Sequence, residues 1–148
     1  MKQSSIQFHN ADVAFLLAQK NLLRTWIQKV CKSHTFSVSQ IQFVFCSDEY
    51  LLDINRQFLQ HDYYTDIITF DNTIGRQIEL EAYISLDRVR ENAKHNKETI
   101  TKELHRVMIH GVLHALGYKD KKRADIAAMR AAEDDALITW DKLSSKAK

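Results

Sequence analysis

A chain of 148 residues, 45% hydrophobic and 27% charged, is long enough to bury a core and reads as a single domain over residues 1–148. Its formal charge of +2 permits a nucleic-acid partner without arguing for one. No apolar run approaches the roughly 20 residues of a membrane helix, and the start MKQSSIQFHNADVAF lacks the apolar stretch of a secretory signal, which argues against membrane-spanning and secreted classes.

In chain order, Ser5–His9 alternates and predicts a first strand. From Val13 to Cys31 the apolar residues Phe15, Leu16, Leu22, Leu23, Trp26, Ile27 and Val30 predict one or two amphipathic helices. Val38–Cys46 alternates and is rich in β-branched and aromatic residues, hence a second strand. Cys31 and Cys46 form no CxxC pair and are expected as buried thiols of a reducing, cytoplasmic compartment. Ser47-Asp48-Glu49 supplies an N-cap and an acidic first turn for a helix to about Leu59. Ile67–Asp71 and Gln77–Ser85 are two more strands around a turn at Asn72–Arg76, which contains Gly75. Three helices follow: Leu86 to about His95, Thr99–Leu116, and Lys122 to about Trp140. The expected fold is α+β: a small mixed four-stranded sheet packed with about five helices, the most apolar of which, ending at Leu116, is central.

That helix ends in the stretch HGVLHALGYKD, His110 to Asp120. On a helix, His110 and His114 lie about 40° apart and one turn along, so both imidazoles reach one ion. The spacing alone is weak, since seven histidines give about 0.3 such pairs by chance. Gly117 strengthens it, because a left-handed glycine ends a helix and lets the chain turn back, returning Asp120 as a third donor. Two histidines and a carboxylate form a zinc set with an open fourth position. The alternative is two packed, hydrogen-bonded histidines with Asp120 an ordinary loop residue. His105 lies about 140° from His110 around the helix and is expected to be a surface or packing histidine. Glu103 shares the His110 face two turns away, as an ion-pair partner or a distant support rather than a ligand.

Gly111 stands where a zinc protease carries its catalytic glutamate, so peptide hydrolysis by that route is excluded. A helical glycine costs about 1 kcal/mol relative to alanine. Close approach of the sheet backbone and room for a bulky substrate are two compatible reasons for it. Water activated by the ion would still serve against a phosphodiester.

HGVLHALGYKD resembles the signature of the YbeY-type endoribonucleases, whose usual form is HGxLHLxGYDH with three zinc-binding histidines. Asn55, Phe58, Asp62 and Thr65-Asp66-Ile67-Ile68-Thr69-Phe70 resemble a second family block. Tyr83-Ile84-Ser85 with Asp87 and Val89 resembles a third, and Met129, Glu133 and Leu137 match the spacing of the family's final helix. The resemblance implies a zinc-dependent single-strand endoribonuclease acting late in processing of the 16S rRNA 3′ end. Its implied partners are ribosomal RNA and the small ribosomal subunit, its location the cytoplasm. It implies one zinc ion per chain, held by His110, His114 and Asp120, with Thr65, Asp66 and Thr69 flanking the cleft and Glu133 supporting the metal loop. Asp120 replaces the third histidine, which hardens the site and admits another divalent ion. Leu59 occupies the place of an arginine that contacts RNA phosphate in the family; Arg56, His61 and the cluster Lys119, Lys121, Lys122, Arg123 are the candidate replacements, although such loop lysines are ordinarily just solvated. Tyr64 replaces the family's proline. No residue stands out as a general base. The rival reading is a non-catalytic, ribosome-associated RNA-binding factor with a structural metal.

Overall fold

The structure, a computed structural model, describes residues 5–147; Lys148 of the basic tail and the first four residues of the chain lie outside that range. The elements are β1 (Ser5–Asn10), α1 (Lys20–Ser33), β2 (Ser37–Cys46), α2 (Asp48–Leu59), β3 (Ile67–Asp71), β4 (Gln77–Ser85), α3 (Leu86–His95), α4 (Ile100–Ala115) and α5 (Arg123–Lys146). The sheet has the order β1-β2-β4-β3, with β1, β2 and β4 parallel and β3 antiparallel to β4. The fold is the α+β arrangement expected from the sequence.

The parallel pairs need crossovers, which α1 and α2 supply, whereas β3 and β4 are joined by a tight turn. Ile74 and Gln77 exchange backbone hydrogen bonds of 3.1 and 3.0 Å across that turn. Gly75 sits at φ +59, the handedness such a two-residue turn requires at its first central position.

Alternation along the strands sorts the two faces. Ile41, Phe43 and Phe45 of β2 and Ile78, Leu80, Ala82 and Ile84 of β4 are buried in one large core with Trp26 and Ile27 of α1, Met108, Val112 and Leu113 of α4, and Leu137 and Trp140 of α5. On the other face a smaller cluster of Cys46, Leu51 and Ile68, with Phe70 and Tyr83, lies beneath α2. α4 is buried nearly all round, which fits a run of apolar residues with little polar interruption. Thr99 caps it, its hydroxyl accepting from the amide of Lys102 at 3.1 Å. Ser47 and Ser85 likewise cap α2 and α3.

The segment before α1 departs from expectation. Only Lys20–Ser33 is helical, and residues 11–19 are irregular. Val13, Phe15 and Leu17 pack against the core while Ala14 and Leu16 face outward, Leu16 being 95% exposed. That is a period of two, and Phe15 meets the ring of Phe45 edge-on at 5.2 Å. The same leucines and phenylalanine satisfy a loose helical pattern, so periodicity over so short a window misleads. At the other end α5 runs six residues beyond the expected Trp140, to Lys146. Both cysteines are buried free thiols, as expected, and burial pushes each up to about 12.

His105 resolves as a packing residue. Its ring lies 4.5 Å from that of Trp140 and 5.8 Å from that of Trp26. The indole of Trp26 donates to the carbonyl of Ala136 at 2.7 Å, so this cluster joins α1, α4 and α5.

Candidate metal centre

The last turn of α4 places His110 and His114 on one side, with imidazole Nε2 atoms 3.1 Å apart. The helix then stops in a Schellman turn: the amide of Tyr118 donates to the carbonyl of Leu113 and that of Gly117 to His114, both at 3.0 Å, and Gly117 sits at φ +110. Tyr118 anchors the returning chain. Its side chain packs on the core and its hydroxyl bonds His34 Nε2 at 3.1 Å. Because His34 Nδ1 lies 2.9 Å from the carbonyl of Val30 and donates to it, Nε2 is the acceptor and the tyrosine the donor.

This turn brings Asp120 back over the helix. Its Oδ2 lies 3.2 Å from His114 Nε2 and 3.4 Å from His110 Nε2. Three donor atoms thus form a triangle with edges of 3.1, 3.2 and 3.4 Å. A tetrahedral ion with bonds of about 2.0–2.1 Å needs edges of about 3.3 Å, so the three residues fit a zinc-sized divalent cation. With the Nε2 atom of each imidazole unprotonated, two nitrogens and one carboxylate oxygen would present lone pairs to the same point, the arrangement a cation satisfies. Among the described residues this is the one cluster of three or more histidine, cysteine or acidic side chains with such convergence.

His110 is oriented from behind. Its Nδ1–H donates to Glu133 Oε2 at 2.6 Å, which leaves the Nε2 lone pair facing the triangle. Glu133 is buried, and Arg106 Nη1 bonds its other oxygen at 3.0 Å while Arg106 Nη2 reaches Asp134 at 2.9 Å. Burial opposes the charge on Glu133, but the bonds from His110 and Arg106 outweigh it and hold the carboxyl below its usual range. For His110 burial again opposes the charged form, and the Glu133 bond prevails, so its pKa lies above the ordinary value. The resemblance placed Glu133 as a support of the metal loop; the structure places it on the histidine itself.

Beside the triangle, between α4 and the first half of α5, lies a cavity of about 410 Å³. His110, Asp120, Arg106, Arg130, Asp66 and Glu103 are among the residues that line it, with Asn96. Burial raises the pKa of Asp66 and of Glu103, despite the favourable charges of His110 and Arg106 respectively. Of the two roles expected for Glu103, the ion pair is not formed, since no cation lies within 4 Å of it among the described residues; the side chain of Asn96 hydrogen-bonds it instead. Asp66 and Glu103 are acids within the cavity, where no base was legible in the sequence. Arg106 was also missed, although its place one turn before His110 on the same face was a signal.

Gly111 faces β3. A Cβ there would lie 2.9 Å from Ile67 Cδ1 and 3.3 Å from Thr69 Cγ2. Close packing accounts for the glycine, through side chains of the sheet rather than its backbone, and the space is filled rather than left for a substrate. Thr69 accordingly faces the helix. The structure gives the proposed RNA contacts different standings. Arg56 is tied to Asp62 at 2.5 Å. Lys119, Lys121, Lys122 and Arg123 are exposed in and just after the loop that returns Asp120. Leu59 is partly exposed and apolar.

The family model described as Endoribonuclease YbeY matches residues 5–141. An Endoribonuclease YbeY of Cytophaga hutchinsonii is 48% identical over 138 residues, covering 93% of this chain and 96% of that protein. One from Porphyromonas gingivalis is 44% identical over 135 residues, covering 91% and 89%. The solution structure of TM1509 from Thermotoga maritima shares the fold, with a TM-score of 0.61 at 23% identity over 95% of both chains.

Proposed function

The chain belongs to the YbeY endoribonuclease family, and from that premise we propose that it cleaves single-stranded RNA in zinc-dependent fashion, late in processing of the 3′ end of small-subunit ribosomal RNA. The observation that carries this is the triangle of His110, His114 and Asp120, backed by Glu133 and opening beside a cavity with arginines on its wall. A divalent cation held there would activate water and screen charge on a scissile phosphodiester. The chain's own residues do the rest. Glu133 fixes the His110 tautomer, and Arg106 neutralises Glu133 so that the carboxylate stays ionised in a buried place. Asp120 and His114 remain partly exposed, which leaves the outer side of the triangle to substrate. With three side-chain donors rather than four, the set has the make-up of an open catalytic site. Asp66, a half-buried carboxyl with a raised pKa on the cavity wall, is a candidate to accept or return a proton. The small ribosomal subunit is the partner this reading implies.

The test is metal analysis together with cleavage of single-stranded RNA by wild type and His114→Ala. We expect about one metal ion per wild-type chain, activity lost to a chelator and restored by zinc, and loss of both metal and cleavage in the variant. Stoichiometric metal with no metal-dependent cleavage would leave the rival reading, an RNA-binding factor with a structural ion.

A further inference from the structure

The basic residues lining the cavity are Arg106 and Arg130, and they are not equivalent. Arg106 is spent on the protein. Both of its terminal nitrogens bond carboxylates, Glu133 at 3.0 Å and Asp134 at 2.9 Å, and its side chain is only 15% exposed. Arg130 sits on α5 one turn before Glu133, and its one ion-pair contact among the described residues is a long 3.5 Å approach to the Glu133 oxygen that Arg106 already occupies. Its side chain is 56% exposed while still lining the cavity that holds His110 and Asp120. A guanidinium carries five N–H donors in a planar fork, so most of its bonding capacity faces outward. Helical spacing extends the feature: Arg123, Ile126 and Arg130 fall on one face of α5, three and four residues apart, and Arg123 adjoins the loop bearing Lys119, Lys121 and Lys122.

We infer that Arg130 is a phosphate-binding residue of the site, engaging a backbone phosphate of single-stranded RNA next to the one at the His110–His114–Asp120 triangle, with Arg123 continuing the track along α5. The assignment rests on the endoribonuclease reading. Arg130 positions the strand and takes no part in bond breaking. A planar, bidentate donor suits a phosphodiester, and the apolar side chain of Ile126, half-exposed on the same cavity wall, flanks it with a surface for a ribose or base.

The experiment uses the full chain loaded with zinc and an unstructured single-stranded RNA oligonucleotide. Wild type, Arg130→Ala, Arg130→Lys and, as a control about 18 Å further along α5, the exposed Lys142→Ala are compared for metal content, cleavage and binding over a range of salt. We expect Arg130→Ala to keep its metal, to raise KM about tenfold with a smaller change in kcat, and to lose roughly 0.7 from the slope of log affinity against log salt, the share of one phosphate contact on a single strand. Arg130→Lys keeps the charge, and with it the slope and part of the affinity. Lys142→Ala behaves as wild type. If Arg130→Ala matches wild type in KM and slope while wild type cleaves RNA, the inference fails and the endoribonuclease reading stands. If Arg130→Ala loses metal in proportion to activity, Arg130 merely braces Glu133 and the inference also fails. If wild type neither binds nor cleaves RNA, both fall together.

Discussion

Glu133 shows how one side chain sets the chemistry of another. It receives the Nδ1 proton of His110 at 2.6 Å, so that the opposite nitrogen is left with a lone pair toward His114 and Asp120. Glu133→Gln retains the shape but loses the charge, and a partner of this kind is worth about 10- to 100-fold in metal affinity. Competition with a metal chelator, alongside circular dichroism to confirm that the helices persist, measures the loss. An unchanged affinity would mean that His110 is held by packing alone. The pair also fixes how pH acts on the metal-free protein. His110 is raised above 6.5, so its contribution to stability is full below that value and lost as pH rises through its folded pKa. Glu133 is lowered below 4.5, so its contribution is present above that value and lost as pH falls through its folded pKa. His110 and His114 were legible from their spacing and Asp120 from the glycine before it. Asp66 was reached only through the family resemblance and Glu103 only as a distant support on the His110 face, while Arg106 was missed, because only packing decides that α4, the start of β3 and α5 share a cavity.

At the scale of elements, α4 carries the centre and Gly111 sets how closely it lies on β3. Two opposed effects meet there. Alanine gains about 1 kcal/mol of helix propensity over glycine, but its Cβ would press Ile67 Cδ1 at 2.9 Å. Ile67 Cδ1 is the end of a flexible side chain and can shift, so Gly111→Ala alone should be close to neutral. In an Ile67→Val background, where that atom is gone, the same substitution should stabilise by up to about 1 kcal/mol. Chemical denaturation of the four proteins of this cycle checks it, and additive effects would show that the contact is without consequence. The sequence identified the glycine as unusual but not the neighbour that requires it. The segment before α1 carries the complementary lesson. Val13, Phe15 and Leu17 suit an extended segment against the core as well as they suit a helix, and the contact of Phe15 with Phe45 decides between them.

Across the whole molecule, the cluster of Trp26, His105 and Trp140 binds α1 and α5 to α4. Burial pushes His105 down from 6.5 to about 4, so the folded protein holds it neutral. Its contribution to stability is present above pH 6.5 and lost as pH falls through about 4, because the unfolded chain takes up the proton first. His105→Phe, which preserves an aromatic ring, should flatten the fall in stability over that window by on the order of 3 kcal/mol. Denaturation midpoints measured across that range decide it; an equally steep decline in the variant would place the acid sensitivity elsewhere.

The order of strands and helices, the mixed sheet and the donor set at the end of α4 were all determined by the sequence itself. Those features depend on local periods, caps and a helix-ending glycine, which act over a few residues. Tertiary structure alone decided that Glu133, 23 residues beyond His110, stands behind it, that Ile67 fills the space at Gly111, and that Arg106 is consumed by carboxylates while Arg130 stays open to solvent. Such pairings depend on how α4, α5 and β3 pack, and no local period in the chain records that.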